Sequence, residues 1–211
     1  MNASTEQEVF WQGQFGSEYT ERNAGERAIA SNTALFARIL SRTRGIGSVL
    51  ELGSNRGNNL VALRRLLPAA QLSAVEINPT AAQHVAATLP DVELHRTSIL
   101  RFEPERRWDL VFTKGVLIHI APEELTRVYD LMRRAAARYV LVAEYMNPTP
   151  VEVNYRGHAN KLFKRDFAGE LLDRCPELEL VDYGFAWRRD PNFAQDDLTW
   201  FLLALRDAGA D

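Results

Sequence analysis

Apolar runs and helical patterns alternate along the chain, and this alternation predicts an α/β protein. Five runs have the length of buried strands, and the segments between them carry apolar residues at helical spacing. The runs cover residues 49–52, 72–78, 92–100, 108–113 and 138–146. Strands that alternate with helices in this way are typical of a sheet with parallel strands.

The two ends of the chain depart from this alternation. Residues 1–45 are predicted to be helical in two pieces. The first piece carries an aromatic cluster made of Phe10, Trp11, Phe15 and Tyr19. This cluster forms either a lid over a ligand site or a cover for the edge of the sheet, and the pattern favours neither. At the other end, residues 178–187 and 198–205 read as two strands joined by an Asp-Pro-Asn turn, which predicts a terminal hairpin.

Length, charge and cysteine content narrow the class of protein. A chain of 211 residues suits one domain, here a helical segment at 1–45 and a core at 46–211. The net charge of -3 disfavours a nucleic-acid partner. Since the sequence has neither a run of roughly 18 apolar residues nor a leader pattern, we expect a cytoplasmic protein that does not contact the membrane. The lone cysteine, Cys175, excludes an internal disulfide and a cysteine-built zinc site.

The candidate chemistry is concentrated in the stretch VLELGSNRGNNL at 49–60. An apolar strand there runs into Gly53 and Gly57, and leucines follow at helical spacing. Glycines let the backbone turn sharply and approach a ligand, toward which the N–H groups at the start of the helix point. The stretch therefore predicts a nucleotide-type site. A dinucleotide is disfavoured because Asn55 and Asn58 stand where the G-x-G-x-x-G pattern needs glycine.

The spacing of Glu51, Gly53 and Gly57 resembles motif I of the class I methyltransferases that depend on S-adenosylmethionine (SAM). Asn55 replaces the usual middle glycine, and Asn tolerates a left-handed backbone. Glu76 lies about 20 residues past the loop, where a carboxylate can accept hydrogen bonds from both ribose hydroxyls. The predicted cofactor contacts are Tyr19, Arg22, Glu51, Gly53, Ser54, Asn55, Gly57, Glu76, Ile77, Ser98, Ile99 and Lys114.

The resemblance also implies a fold and the roles of several of these contacts. It implies a Rossmann-like seven-stranded sheet in the order 3-2-1-4-5-7-6, with the last strand antiparallel and helices on both faces. Ser98 stands where the family usually carries an acid that binds the adenine amino group, and Ile99 offers an apolar wall. Tyr19 and Arg22 are placed to reach the carboxylate end of the ligand.

Residues 108–120 resemble motif IV, which in the family lines the place where the SAM methyl group meets the acceptor. His119 titrates near neutral pH and can act as a base, but a histidine that only packs or holds the backbone is the favoured alternative. The fifth strand ends at Glu144 and Tyr145, at the edge where open α/β sheets bind ligands. The acidic cluster of the magnesium-using family members is missing here, so we expect no metal.

A polar insertion at 147–165 follows the fifth strand and precedes a helix predicted to start at Asp166. Its basic residues suit an anionic acceptor, and its histidine and tyrosine can take up a proton. An exposed, solvated segment is the alternative. The predicted substrate contacts are Tyr145, Asn147, Arg156 and Lys161, with Lys164 and Arg165 nearby. The candidate catalytic residues are His119, Glu144, Tyr155 and His158.

Over nearly its whole length the chain is similar to the methylases associated with pseudaminic acid biosynthesis. The stretches Y-R-G-H at 155–158 and Q-D-D-L-T-W-F at 195–201 carry this narrower resemblance. It implies methyl transfer from SAM to an O or N atom of a small acidic acceptor, a nonulosonic sugar or its nucleotide-activated form. The open alternatives are a SAM-binding regulatory protein, an NAD(P)-dependent reductase, and a methyltransferase that acts on an amine, a peptide, a protein or RNA. The sequence does not predict the oligomeric state.

Overall fold

The computed structural model describes residues 4–22 and 25–206, and the rest of the predicted segments 1–45 and 46–211 lies outside these ranges. The helices are α1 Glu6–Gln12, α2 Gln14–Arg22, α3 Glu26–Leu40, α4 Asn58–Leu66, α5 Pro79–Thr88, α6 Leu125–Ala135 and α7 Phe167–Arg174. The strands are β1 Ser48–Leu52, β2 Gln71–Val75, β3 Glu93–His95, β4 Trp108–Lys114, β5 Ala136–Glu144, β6 Val151–Tyr155, β7 His158–Lys164, β8 Leu178–Ala186 and β9 Leu198–Leu205.

Seven of these strands form one sheet in the order β3-β2-β1-β4-β5-β9-β8. The first five are parallel, and β9 runs antiparallel to both β5 and β8. The predicted order is confirmed, since β8 and β9 are the sixth and seventh strands of that order. In the middle of the sheet Glu51 lies opposite Ala74 on one side and Phe112 on the other, so β1, β2 and β4 end side by side.

Helices cover both faces of this sheet, as predicted. One core cluster joins α3 and α4 to the sheet through residues such as Phe36 and Leu63. The other joins α6 and α7 to the opposite face through residues such as Met132 and Leu171. Strands buried on both faces need continuous apolar runs, which is why β1, β4 and β5 were readable from sequence. Within the described ranges, no helix is long and apolar enough to cross a membrane.

Three details differ from the sequence prediction. The first amino-terminal piece is two helices, α1 and α2, separated at Gly13. The third strand is only three residues long, because a turn from His95 to Thr97 ends its pairing with β2. The insertion is a separate hairpin of β6 and β7, whose turn depends on positive φ at Arg156 (52°) and Gly157 (88°). Arginine is a poor predictor of such a turn, which usually carries Asn or Asp before the glycine.

Candidate active site

A cavity of about 410 Å³ lies at the carboxyl ends of β1, β2 and β4. Its size falls in the range of small-molecule sites, and its position is the usual ligand edge of an open α/β sheet. The loops after these strands line one side. Side chains of α1, α2 and α3 line the other side, together with Ala194, Gln195 and Asp196 from the segment between β8 and β9.

The glycine loop between β1 and α4 has the backbone that the sequence predicted. Gly53 (φ 81°), Asn55 (46°) and Gly57 (84°) are all left-handed, so asparagine does adopt the conformation of the missing glycine. A Cβ atom on Gly53 would lie 2.8 Å from Cγ2 of Val116, so this position has no room for a larger residue. The close approach keeps the loop against the segment that follows β4.

Glu76 connects the glycine loop to the start of α5. Its Oε2 accepts a hydrogen bond from the Asn55 N–H (2.7 Å), and its Oε1 accepts one from the Asn78 N–H (2.7 Å). Burial raises the pKa of Glu76, and these backbone hydrogen bonds oppose that shift. Because two carboxylate oxygens offer about four acceptor positions, both oxygens can still bind ligand hydroxyls.

Glu51 lies fully buried beneath the cavity wall. Its Oε1 accepts a hydrogen bond from Asn59 Nδ2 (2.6 Å). Burial raises the pKa of Glu51 to about 8, and the hydrogen bond and the positive charge of Lys114 oppose the rise. Lys114 itself lines the cavity. Burial lowers the pKa of Lys114, and the nearby acids Asp196 and Glu51 oppose this shift.

His119 lines the cavity and is 8% exposed. Its Nδ1 lies 2.6 Å from the Lys161 carbonyl oxygen, so Nδ1 carries the proton and donates it to this bond. The neutral ring therefore keeps its lone pair on Nε2. Burial lowers the pKa of His119 to about 4, so the predicted titration near neutral pH is wrong and the ring is neutral at that pH.

Glu144 holds the turn that leads to His119. Its carboxylate accepts hydrogen bonds from the N–H groups of Val116 (3.0 Å) and Leu117 (3.1 Å). Burial raises the pKa of Glu144 to about 7 despite these bonds. The carboxylate therefore faces backbone, and Glu144 is not among the residues that line the cavity.

The two amino-terminal helices lie over the cavity. Asn78 Nδ2 donates a hydrogen bond to the Trp11 carbonyl (3.0 Å), and Thr20 Oγ1 donates one to Asn55 Oδ1 (2.9 Å). The Trp11 ring lies 4.5 Å from the His119 ring, measured between centroids. Of the aromatic cluster, Trp11 and Tyr19 line the cavity together with Thr20, whereas Phe10 and Phe15 do not.

The β6–β7 hairpin packs against the same helices. The Tyr155 ring lies 5.0 Å from the His119 ring, and the His158 ring lies 5.0 Å from the Phe10 ring. Lys161 forms an ion pair with Glu6, although Lys161 is buried. The hairpin therefore contacts His119 from the side away from the cavity, and its residues do not line the cavity wall.

Half of the predicted site residues line the cavity. These are Tyr19, Gly53, Ser54, Asn55, Glu76, Ile77, Ser98, Ile99, Lys114 and His119. The others lie outside its wall, and they are Arg22, Glu51, Gly57, Glu144, Tyr145, Asn147, Tyr155, Arg156, His158 and Lys161. The guanidinium group of Arg22 lies over the Tyr19 ring at 5.9 Å, and the half-buried Asn147 bonds to Thr149 in its own turn.

Several lining residues were missed by sequence reasoning. They are Gln7, Glu8, Asn32, Asn59, Gln195 and Asp196. Asn59 is the second residue of α4, which directly follows the glycine loop. Its position in the sequence could therefore have predicted that its side chain reaches a ligand of that loop. Gln7 and Asn32 depend on long-range packing, because only the folded chain brings α1 and α3 to the strand ends.

Comparison with known proteins agrees with this geometry. Residues 49–138 match the family model described as "Methyltransferase domain". A search of curated protein sequences gives no significant match. The sugar N-methyltransferase KedS8 from a Streptoalloteichus species has 15% identity and a TM-score of 0.67, with 98% of this chain and 96% of that chain covered.

Two further solved structures have the same fold. N-methyltransferase NodS from Bradyrhizobium japonicum, in complex with S-adenosylhomocysteine (SAH), has 16% identity and a TM-score of 0.65, with 90% and 97% of the two chains covered. Magnesium protoporphyrin IX methyltransferase from Synechocystis, with bound SAM, has 12% identity and a TM-score of 0.67, with 97% and 100% covered. The domain match covers less than half of the chain, and together with the SAM- and SAH-bound structures it supports a SAM-dependent methyltransferase. The chain has the fold of these structures, with a seven-stranded sheet whose last strand is antiparallel.

The residues of the cavity fit the cofactor. Ser54 lines the cavity, and its buried Oγ has no hydrogen-bond partner within the described ranges, as expected of a site shaped for a polar ligand. Across those same residues no group of three or more His, Cys, Asp or Glu side chains could hold a metal ion.

The buried His119 predicts a specific dependence of stability on pH. Its folded pKa of about 4 lies below the ordinary value of 6.5, so the unfolded chain binds a proton first as the pH falls. The stabilisation is complete above pH 6.5 and is lost as the pH falls toward 4. We expect the difference in unfolding free energy between wild type and His119→Asn to shrink by about 2 kcal/mol between pH 7 and pH 4.5 in urea titrations. A constant difference would show that the pKa of His119 is the same in the folded and the unfolded chain, as for a solvated ring.

Proposed function

We propose that the protein transfers a methyl group from SAM to an oxygen or nitrogen atom of a small acidic acceptor, such as a nonulosonic sugar or its nucleotide-activated form. The observation that carries the proposal is His119, a buried neutral imidazole in the wall of a cavity built around the motif I loop. When bound, the cofactor supplies an electrophilic methyl group on a positively charged sulfur.

The motif I loop and Glu76 are proposed to bind the cofactor. The N–H groups of Asn55 and Asn78 hold the Glu76 carboxylate in place. In the proposed complex this carboxylate accepts hydrogen bonds from the ribose hydroxyls. Ser98 and Ile99, which line the cavity near the end of β3, contact the adenine. Tyr19 closes the cavity from α2, and Arg22 supports the Tyr19 ring.

His119 is proposed to accept the proton that the acceptor loses. Its Nδ1–H is held by the Lys161 carbonyl, so the ring cannot rotate freely and Nε2 stays available. Glu144 fixes the turn that carries the ring. Glu144 is thus a positioning residue, and Tyr155 and His158 form the outer wall of the acceptor site.

The acid of the acceptor is proposed to bind the hairpin. Of its four basic residues, Lys161 pairs with Glu6 and Arg165 pairs with Glu170. Across the part of the chain that the structure describes, no ion pair engages Arg156 or Lys164. Arg156 is exposed and lies over the Tyr155 ring at 5.8 Å, next to His119, where a carboxylate could form a bidentate contact. The name of KedS8, a sugar N-methyltransferase, supports a sugar acceptor.

We further infer that residues 4–22 act as the lid of the site. They cover the cavity, and side-chain hydrogen bonds from Asn78 and to Asn55 tie them to the core. An acceptor that reaches His119 must pass between these helices and the hairpin, where Phe10 and Phe15 contact His158. Closure of this segment would exclude water from the methyl transfer.

Mass spectrometry of reaction products tests the proposed acceptor. The protein and SAM are incubated with nonulosonic acids, with their nucleotide-activated forms, and with neutral sugars as controls. We expect a gain of one methyl group on an acidic sugar only, and Arg156→Gln should lower kcat/KM by roughly 10-fold through loss of a charged hydrogen bond. Methylation of neutral sugars with equal efficiency would contradict the acidic acceptor.

A further inference from the structure

The sheet ends in a strand that exposes a stripe of aromatic side chains. β8 is the outermost of the seven strands, and no described strand pairs with its outer side. Tyr183, Phe185 and Trp187 occupy alternate positions in and just after this strand, and they are 62%, 53% and 49% exposed. Because alternate residues of a strand share one face, the three rings form one apolar stripe along the edge of the sheet.

The packing of β8 against β9 shows on which face of the sheet the stripe lies. The Tyr183 ring stacks on the Phe201 ring (6.1 Å between centroids), and Phe201 packs against the core cluster beneath α6 and α7. Gly184 faces the other side, where a Cβ atom would lie 2.7 Å from Trp200. The stripe therefore lies on the α7 side of the sheet, beyond the area that the helices cover.

The second half of β8 lacks the usual protection of a sheet edge. Proteins protect such edges with lysine, proline, bulges or a covering segment, because the unpaired N–H and C=O groups can pair with another strand. In β8 the bulge lies between Leu180 and Asp182. From Asp182 to Ala186 the pairing with β9 is regular, and the sequence there contains neither lysine nor proline. This half can therefore accept another strand, which would also cover the exposed rings.

The two ends of this half carry charges of opposite sign. Asp182 lies at one end and forms an ion pair with Arg42 (3.0 Å). Arg188 lies at the other end and forms an ion pair with Asp197 (3.3 Å). Both side chains remain partly exposed, so each can contact a further charge. Asp182 and Arg188 are each three positions from Phe185. An antiparallel second copy of the edge, centred on Phe185, therefore brings Asp182 of each chain opposite Arg188 of the other.

We propose that the protein forms a symmetric dimer through β8, in which the edges of two copies pair antiparallel about Phe185 and the two sheets become one. In this register Tyr183 lies opposite Trp187 of the second copy, so the aromatic rings form pairs across the two-fold axis. A register shifted by two positions in either direction loses the pairing of Asp182 with Arg188. The edge is thus complementary to itself, as a two-fold interface requires. The inference does not rest on the proposed acceptor or cofactor.

Sedimentation velocity of the full chain tests the dimer. At about 50 µM we expect wild type to have twice the mass of one chain. Phe185→Asp places two carboxylates together at the axis and should weaken the association roughly 100-fold or more. Because Phe185 is half exposed in the single chain, this variant should keep its fold, which its melting temperature checks. The matched control, Val9→Asp, changes an exposed apolar residue of α1 and should leave the dimer intact.

A pair of charge reversals tests the register. Asp182→Arg and Arg188→Asp each bring like charges opposite one another at both ends of the interface, so each variant alone should associate roughly 10-fold or more weakly than wild type. In an equimolar mixture the two variants carry opposite charges at every facing position. We therefore expect the mixture to form a heterodimer that associates more tightly than either variant alone.

Four outcomes would overturn the inference. They are a wild type that stays monomeric at this concentration, a Phe185→Asp variant that dimerises as tightly as wild type, a Val9→Asp variant that dissociates to the same extent as Phe185→Asp, and a mixture of the charge variants that associates no better than its components.

Discussion

Replacement of Glu76 by alanine is expected to weaken SAH binding roughly 100- to 1,000-fold, because the proposed site loses the carboxylate that accepts hydrogen bonds from two ribose hydroxyls. The same carboxylate accepts the Asn55 and Asn78 N–H groups, so its loss also leaves two buried donors without a partner. Both effects reduce affinity in the same direction. Calorimetric titration of wild type and variant with SAH measures the loss.

A second ligand, 5′-methylthioadenosine, has the adenosine and sulfur of SAH but lacks its α-amino acid. Because this ligand keeps the ribose, Glu76→Ala should weaken both ligands alike. Glu76→Gln keeps one acceptor oxygen and should fall between the alanine variant and wild type. An SAH affinity in Glu76→Ala within about twofold of wild type would remove Glu76 from the site.

The second large effect is expected at His119. If His119 is the proposed base, His119→Ala should lower kcat for methylation of the proposed acceptor by roughly 100- to 10,000-fold, the usual contribution of a general base. SAH affinity should change little, since the cofactor contacts lie on other residues. The measurement is single-turnover methyl transfer with saturating SAM.

His158→Ala is the matched control for this variant. His158 is exposed, and its ring faces Phe10 and Phe15 rather than the cavity. We expect it to retain most of kcat and to alter mainly KM for the acceptor. If His158→Ala loses activity while His119→Ala retains it, the base has been assigned to the wrong histidine.

The cofactor half of the protein was predictable because its signals are local. Gly53, Asn55 and Gly57 lie on one loop, and a left-handed backbone restricts the residue types that each position accepts. The strand order was available only through the resemblance to a family, since periodicity predicts strands but not their neighbours. The sheet confirmed that order, including the antiparallel last strand.

The acceptor side was less predictable because it is built from long-range contacts. The charges of the insertion suggested a free cationic patch, yet Lys161 and Arg165 are paired with acids on α1 and α7. Likewise, Glu144 ends a strand at the ligand edge, but its carboxylate binds backbone N–H groups of a neighbouring turn. Sequence position locates such residues at the right edge of the sheet and does not predict their partners.

The most direct test of the central claim is calorimetric titration of the full chain with SAH and, separately, with NADH. A SAM-dependent methyltransferase with the cavity described above should bind SAH at a single site and give no binding heat with NADH. Binding of NADH without binding of SAH would contradict the account, because the glycine loop and Glu76 would then serve a dinucleotide.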